Sequence, residues 1–236
     1  MGDYKKLVAE MIGERNDECI TAVAKSIMMS RGDIMIDLGA NIGQQIEYLK
    51  DSGVEVHAFE PHPALFSFLE HKYSAEKNIT LVNGAADIAD GTSRLYFKLG
   101  FDRINGGASL DSRKNTVSTA LSSDVTCVDI SRYIFELEKK VKCLKIDVEG
   151  TEYKLIENII SSGAIHNVEN ILLEDHGEDF QHRGWHQHAL KTLKDLCATG
   201  VNVINWYGPH PLKDKVYISL YDECDAFLTN KREQTC

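Results

Sequence analysis

From residue 34 onward, short apolar runs alternate with stretches whose apolar residues recur every three or four positions. Runs at 34–38, 54–59 and 79–82 are too short for helices and read as strands; 44–51 and 64–73, between them, carry the helical period. The rhythm resumes with a strand at 125–128, a helix at 131–138, a strand at 143–146, a helix at 152–161, a strand at 171–173 and a helix at 188–198. Such alternation predicts an α/β fold with a doubly wound, Rossmann-like and mostly parallel sheet, helices covering both faces. Two last runs, 201–206 and 216–220, are joined by Gly208, Pro209 and Pro211, which predicts an antiparallel hairpin at the C-terminal edge of the sheet.

Ahead of the sheet, Ile20, Val23, Ala24, Ile27 and Met28 mark one face of an amphipathic helix over 17–29. Residues 1–32 are therefore expected to brace a single domain spanning 33–236. The segment 100–123 breaks the alternation with Gly, Asn, Ser, Asp and aperiodic charge. A connection of that length in a compact domain points to function, and it reads as a loop that closes over a substrate.

Composition narrows the partners. A net charge of −10 argues against broad nucleic-acid binding, which needs many cations to displace counterions from phosphates. The lysines at 139, 140, 142 and 145 read mainly as a solvated helix end. Six scattered cysteines with no CxxC pair fit reduced thiols, and the early acidic residues interrupt any signal peptide. With no apolar stretch of membrane-spanning length, a cytoplasmic protein is expected.

Four stations at predicted strand ends carry the candidate chemistry. At the first, Asp37-Leu38-Gly39-Ala40-Asn41-Ile42-Gly43 joins strand to helix, where open α/β sheets bind ligands. The spacing lacks the GxGxxG of a dinucleotide site, which disfavours a nicotinamide-dependent oxidoreductase. Asp37 would repel a pyrophosphate but suits the charged amino group of S-adenosylmethionine. At the second station Glu60, followed by Pro61, sits about twenty residues on, where a carboxylate accepts from ribose hydroxyls. The third, Asn83 to Asp87, brings Ala85 near an adenine; Asp87 reads equally as an acceptor for the adenine amino group or as a turn cap. The fourth is Lys145-Ile146-Asp147-Val148-Glu149-Gly150, where charges alternate with apolar residues at a strand exit and would share one face if the strand continued. Glu174-Asp175-His176 follows at the end of the next strand and adds a base.

These motifs resemble the FkbM family of methyltransferases: DLGANIG, Phe59-Glu60-Pro61, KIDVEGTE and LLEDH, in this order, over roughly residues 33 to 176. The resemblance implies the class I methyltransferase fold, S-adenosylmethionine as cofactor, and usually O-methylation of a hydroxyl on a sugar, polyketide or other small metabolite. It also implies that Asp37, Gly39, Asn41 and Glu60 hold the cofactor and that Asp147 lies beside the transferring methyl group. After His176 the stretch GEDFQHRGWHQHAL matches no family motif.

An aliphatic hydroxyl is a poor nucleophile, so a base or metal near the acceptor is expected. Asp147, or His176 oriented by Glu174, is the expected proton acceptor, with Lys145 in the same catalytic group. His176, His182, His186 and His188 read mainly as exposed or capping residues rather than a structural metal site. A hard cation such as Mg²⁺ on Asp147, Glu149 or Glu174 is a separate reading. The rivals are transfer to nitrogen or to an RNA end, and a non-catalytic protein that keeps the pocket.

Overall fold

Strand β1 (Ile34–Leu38) is buried along its whole length and takes the centre of a six-stranded sheet. The computed structural model describes residues 2–98, 107–180, 183–208 and 214–233. Around β1 lie β2 (Glu55–Phe59) and β3 (Ile79–Val82) on one side, and β7 (Val141–Ile146), β8 (Asn170–Leu173) and β9 (Asn202–Asn205) on the other. All five pairings are parallel. The chain winds outward from β1 first one way and then the other, so a crevice opens at the β1/β7 boundary, beyond the carboxyl ends of the strands.

Period two sorts the strand residues between two cores. Ile34, Ile36, Leu38, Leu144, Ile146, Ile171 and Leu173 pack against α1 (Gly2–Ile12), α5 (Ile130–Glu136), α6 (Glu152–Ser161) and α7 (Arg183–Ala198). Met35, Val56, Ala58, Cys143 and Leu172 face the opposite layer of α2 (Ile20–Ser26), α3 (Gln44–Leu49), α4 (Pro63–Tyr73) and α8 (Lys215–Glu233). Asp37 and Lys145 follow this second alternation and are direct cross-strand partners.

A smaller sheet stands beside the first. β4 (Ala85–Asp87) pairs parallel with the long β6 (Val117–Asp129), which pairs antiparallel with β5 (Gly91–Lys98). The loop expected over 100–123 is thus partly strand: its last residues, from Val117, belong to β6, while 107–116 is irregular and 99–106 lies outside the described residues. The strand expected at 125–128 is the end of β6, where cross-strand partners, rather than an isolated apolar run, fix the extended backbone.

Two further differences concern the chain's ends. The brace is two helices: α1, which the sequence reading left unassigned, and the shorter α2. Tyr4, Val8 and Ile12, four apart, bury that face of α1, and α1 packs on α7. The C-terminal antiparallel hairpin does not form. β9 runs parallel to β8, and 216–220 is helical within α8, because Asp214 caps that helix by accepting from Val216 and Tyr217 N–H groups, and Leu220 and Cys224 bury one turn apart against α3 and α4. The turn residues Pro209 and Pro211 lie outside the described residues.

Candidate active site

A cavity of about 620 Å³ opens at the carboxyl edge of β1, β2 and β7, beside the start of β4. Gly39, Asn41, Glu60, Pro61, Ala85 and Asp147 line it, and Gly107, Ala108 and Leu110 supply the opposite wall. Of the residues read from the sequence as cofactor-binding, Asp37, Ala40 and Gly43 do not line this cavity; they lie beneath it. Leu95, Val148, Glu149 and Thr151 line it without having been singled out as cofactor residues.

The two glycines of the first turn serve backbone packing. Gly39 has φ +87°, and a Cβ there would lie 1.9 Å from the Asp147 carbonyl oxygen. Only glycine lets the ends of β1 and β7 pass this closely. Gly43 has φ +83° and would push a Cβ to 2.7 Å from the Tyr73 ring, so it seats α3 against α4. Asn41, itself at φ +51°, turns its N–H to the Glu60 carboxylate.

Glu60 is buried at the end of β2. Its Oε2 accepts from Asn41 N at 2.7 Å and its Oε1 from His62 N at 2.7 Å. Burial pushes its pKa up to about 8 against the pull of these two amides. Each oxygen keeps a lone pair free to accept from a hydroxyl in the cavity. Asp87 accepts from Ile88 N and from Lys154 Nζ, and does not line the cavity.

Lys145 ties the first and fourth stations together. Its Nζ lies 3.0 Å from Asp37 Oδ1 and 3.0 Å from Asp147 Oδ2, and donates to Gly39 O at 3.2 Å. Burial opposes its charge, but Asp147 and Asp37 outweigh burial and hold its pKa above the usual lysine value. Burial likewise raises Asp37, with Lys145 opposing, whereas Lys145 and His176 overcome burial at Asp147 and keep it below the usual carboxylate range.

Beyond Ile146 the strand stops, so Lys145, Asp147 and Glu149 do not share a strand face. Glu149 has φ +62°, and the following Gly150 has φ +122° with its absent Cβ facing the Phe180 ring. This turn swings the Glu149 carboxylate toward His176, with Oε2 3.2 Å from Nε2. Lys114, also buried, holds Glu149 from the 107–116 loop and lies 3.2 Å from Asp179.

His176 is buried among four carboxylates. Nδ1 lies 2.8 Å from Glu152 Oε1, while Nε2 faces Glu149, Glu174 at 3.6 Å and Asp147 at 3.8 Å. The group that orients the ring is therefore Glu152, fully buried in the first turn of α6, and not Glu174 as expected. Burial disfavours the imidazolium, yet Glu149 and Glu152 raise its pKa well above the ordinary value. Burial and then Asp147 push Glu174 up. Asp147 is thus held in its carboxylate form by Lys145 and His176. His186 Nε2 donates to Gly177 O and its ring stacks on Tyr4, and His188 pairs with Glu157; neither joins His176, and His182 lies outside the described residues.

A second cleft, of about 750 Å³, lies behind this cluster between α1 and the chain after β8 and β9. Lys5, Arg15, Asp175, His176, Asn205 and Tyr207 are among its walls. Tyr4 and Tyr153 both donate to Asp175 Oδ1 at its edge, and Arg15 lies 3.4 Å from the Tyr207 ring centroid.

The model of the methyltransferase FkbM domain matches residues 37–200, more than half of the chain. The chain belongs to the FkbM methyltransferase family. The match begins at Asp37 and takes in every FkbM motif residue described above as far as His176. No curated protein matches the chain. Among solved structures, one from Galdieria sulphuraria, named for a sarcosine dimethylglycine methyltransferase, is similar at a TM-score of 0.25 and 11% identity, over 77% of this chain and 78% of that one. The FkbM core thus runs from β1 to the end of α7; α1, α2 and α8 lie outside the matched span. No helix among the described residues is long and apolar enough to cross a membrane.

Proposed function

We propose that this FkbM-family chain is an S-adenosylmethionine-dependent O-methyltransferase acting on a hydroxyl of a small or sugar-containing molecule. The observation that carries the reading is the cavity at the carboxyl edge of β1, β2 and β7, lined by both the buried Glu60 and Asp147. Glu60 would take the ribose hydroxyls, as its free lone pairs allow. Ala85 and Leu95 offer apolar surface to the adenine, and Asn41 Oδ1, buried with no partner, is placed to accept from the amino-acid end.

The cofactor supplies an electrophilic methyl group on sulfur. What the chain has to do is hold the acceptor oxygen in line with that methyl group and exclude water. The cleft of His176 and Tyr207 would admit the acceptor from the side opposite the cofactor cavity, with Asp147 between them. Asp147 would accept the hydroxyl proton as oxygen gains the methyl group, while Lys145 holds that carboxylate in place. His176, held at Nδ1 by Glu152, orients the site and is not the base in this reading.

Thermal melting with S-adenosylhomocysteine tests the cofactor assignment. A ligand at a hundredfold excess over its Kd adds about 2.7 kcal/mol of stability. A shift with S-adenosylhomocysteine, none with NAD, and its loss in Glu60→Gln are expected; a shift that persists undiminished in Glu60→Gln removes Glu60 from the site.

A further inference from the structure

We propose that Asp147, Glu149 and His176 form a binding site for one divalent metal ion of mixed oxygen and nitrogen preference, Mn²⁺ above Mg²⁺, between the cofactor cavity and the acceptor cleft. One donor atom from each side chain lies within 4.8 Å of the other two. His176 Nε2 is 3.2 Å from Glu149 and 3.8 Å from Asp147. Adjacent donors about a six-coordinate ion with bonds of about 2.1 Å come roughly 3 Å apart, so small rotations would complete the set.

A second observation points to an ion and does not depend on the acids' proximity. His176 is only 6% exposed, and its Nδ1 is fixed at 2.8 Å by Glu152, whose other contact on that oxygen is the Gly150 N–H at 2.9 Å. Metal-binding histidines commonly pair the remote ring nitrogen with a carboxylate in this way, which fixes the tautomer and aims the free nitrogen. Here the aimed nitrogen points at Asp147 and Glu149, with Glu174 3.6 Å away as a further oxygen donor.

Charge favours the same conclusion. Among the described residues, Asp147, Glu149, Glu152 and Glu174 all face His176, and Lys145 and Lys114 are the ammonium groups that pair with Asp147 and Glu149. Lys145 holds Asp147 through Oδ2, leaving Oδ1, the oxygen nearer His176, to the ion, while Lys114 pairs with Glu149 Oε2, the oxygen that faces His176, so an ion there would share Glu149 with Lys114. Imidazole nitrogen together with carboxylates selects for Mn²⁺ or another transition ion over Mg²⁺, which prefers oxygen alone.

The placement deepens the reading of a hydroxyl acceptor and rests on it. Asp147 and Glu149 line the cofactor cavity, and His176 lines the acceptor cleft. An ion held by all three would turn its open positions to both, where an acceptor with two neighbouring oxygens, such as a vicinal diol, becomes a chelating ligand.

The test uses Mn²⁺ alone. Full-length protein stripped with EDTA and dialysed is titrated with Mn²⁺ while the electron paramagnetic resonance signal of the free ion is read, in the absence of any adenosyl ligand. One saturable ion per chain is expected in the wild type and in the exposed-surface control Asp124→Asn, with loss in Glu149→Gln and in His176→Gln. Glu152→Gln, which removes only the orienting charge, should weaken binding about 10–100-fold. Circular dichroism identifies any variant that fails to fold, and Glu149→Gln decides if His176→Gln does. An unchanged free-ion signal with the wild type, or equal binding in wild type and Glu149→Gln, overturns the proposal. Failure of the S-adenosylhomocysteine shift is a separate result and overturns the cofactor reading.

Discussion

Gly39 passes so close to Asp147 that a single added carbon would sit 1.9 Å from the Asp147 carbonyl oxygen. The two strand ends that carry the site are locked at this crossing, and Asp147 N donates to Leu38 O at 3.1 Å beside it. Gly39→Ala combines a positive φ with a backbone clash, so it is expected to destabilise the fold by well over about 1 kcal/mol, the range for Ala at such positions. Urea unfolding of Gly39→Ala against Gly200→Ala, where an added Cβ meets nothing within 4 Å at a similar φ of +79°, separates the clash from the backbone strain.

Lys145 compensates two carboxylates at once. Lys145→Met leaves Asp37 buried without its partner, and breaking a buried pair on one side costs about 3–5 kcal/mol. The double variant Lys145→Met/Asp37→Asn should recover part of that loss. Equal stabilities of the single and double variants in chemical denaturation would contradict the pairing.

Glu60 gives a pH dependence with a defined sign. Its folded pKa of about 8 lies above the ordinary 4.5, so between these values the folded state holds a proton that the unfolded chain has released. Stability from this group is fully present below about pH 4.5 and falls as pH rises toward 8, by at most about 1.4 kcal/mol per unit. The Glu60→Gln variant should have a flatter stability profile over that window, measured by melting from pH 5 to 9. If Glu60 accepts the ribose hydroxyls as proposed, affinity of the wild type for S-adenosylhomocysteine should strengthen toward pH 8 as its carboxyl ionises.

Lys114 fastens the 107–116 loop to Glu149 and Asp179 while remaining only 4% exposed. Lys114→Ala is expected to speed cleavage within 107–116 by a non-specific protease, read by mass spectrometry of early fragments, without a matching change at exposed sites in α8. Unaltered cleavage would show that the loop is held by other contacts.

The strand-end stations were legible in the sequence because each is local: a short apolar run, then Asp37 and Gly39, or Glu60, or Asp147. Their convergence follows from the winding of a parallel sheet. What was not legible depends on residues far apart or on competing propensities. The β-branched Val216 and Ile218 beside Tyr217 imitate a strand, and only the Asp214 cap and the burial of Leu220 and Cys224 make the segment helical. Tyr4, Leu7, Val8, Met11 and Ile12 recur at i, i+3, i+4, i+7 and i+8, so the sequence did carry α1 as plainly as the helix that follows it. The partner of His176 could not be read from adjacency: Glu174 is two residues away in sequence, yet the ring bonds Glu152, 24 residues away, because α6 returns its first turn to the end of β8.

The cleft of His176 and Tyr207 is built from segments far apart in sequence. Tyr4 reaches Asp175 across 171 residues, and Glu18 accepts from the Trp206 indole across 188. On a growing chain α1 is made before α7 and β9, so its Tyr4, Val8 and Ile12 face stays uncovered until they have been made. Contacts of such sequence separation form late and slow folding. The edge at β1 and β2 can therefore be in place on a nascent chain whose His176 and Tyr207 cleft, the proposed acceptor site, has still to form.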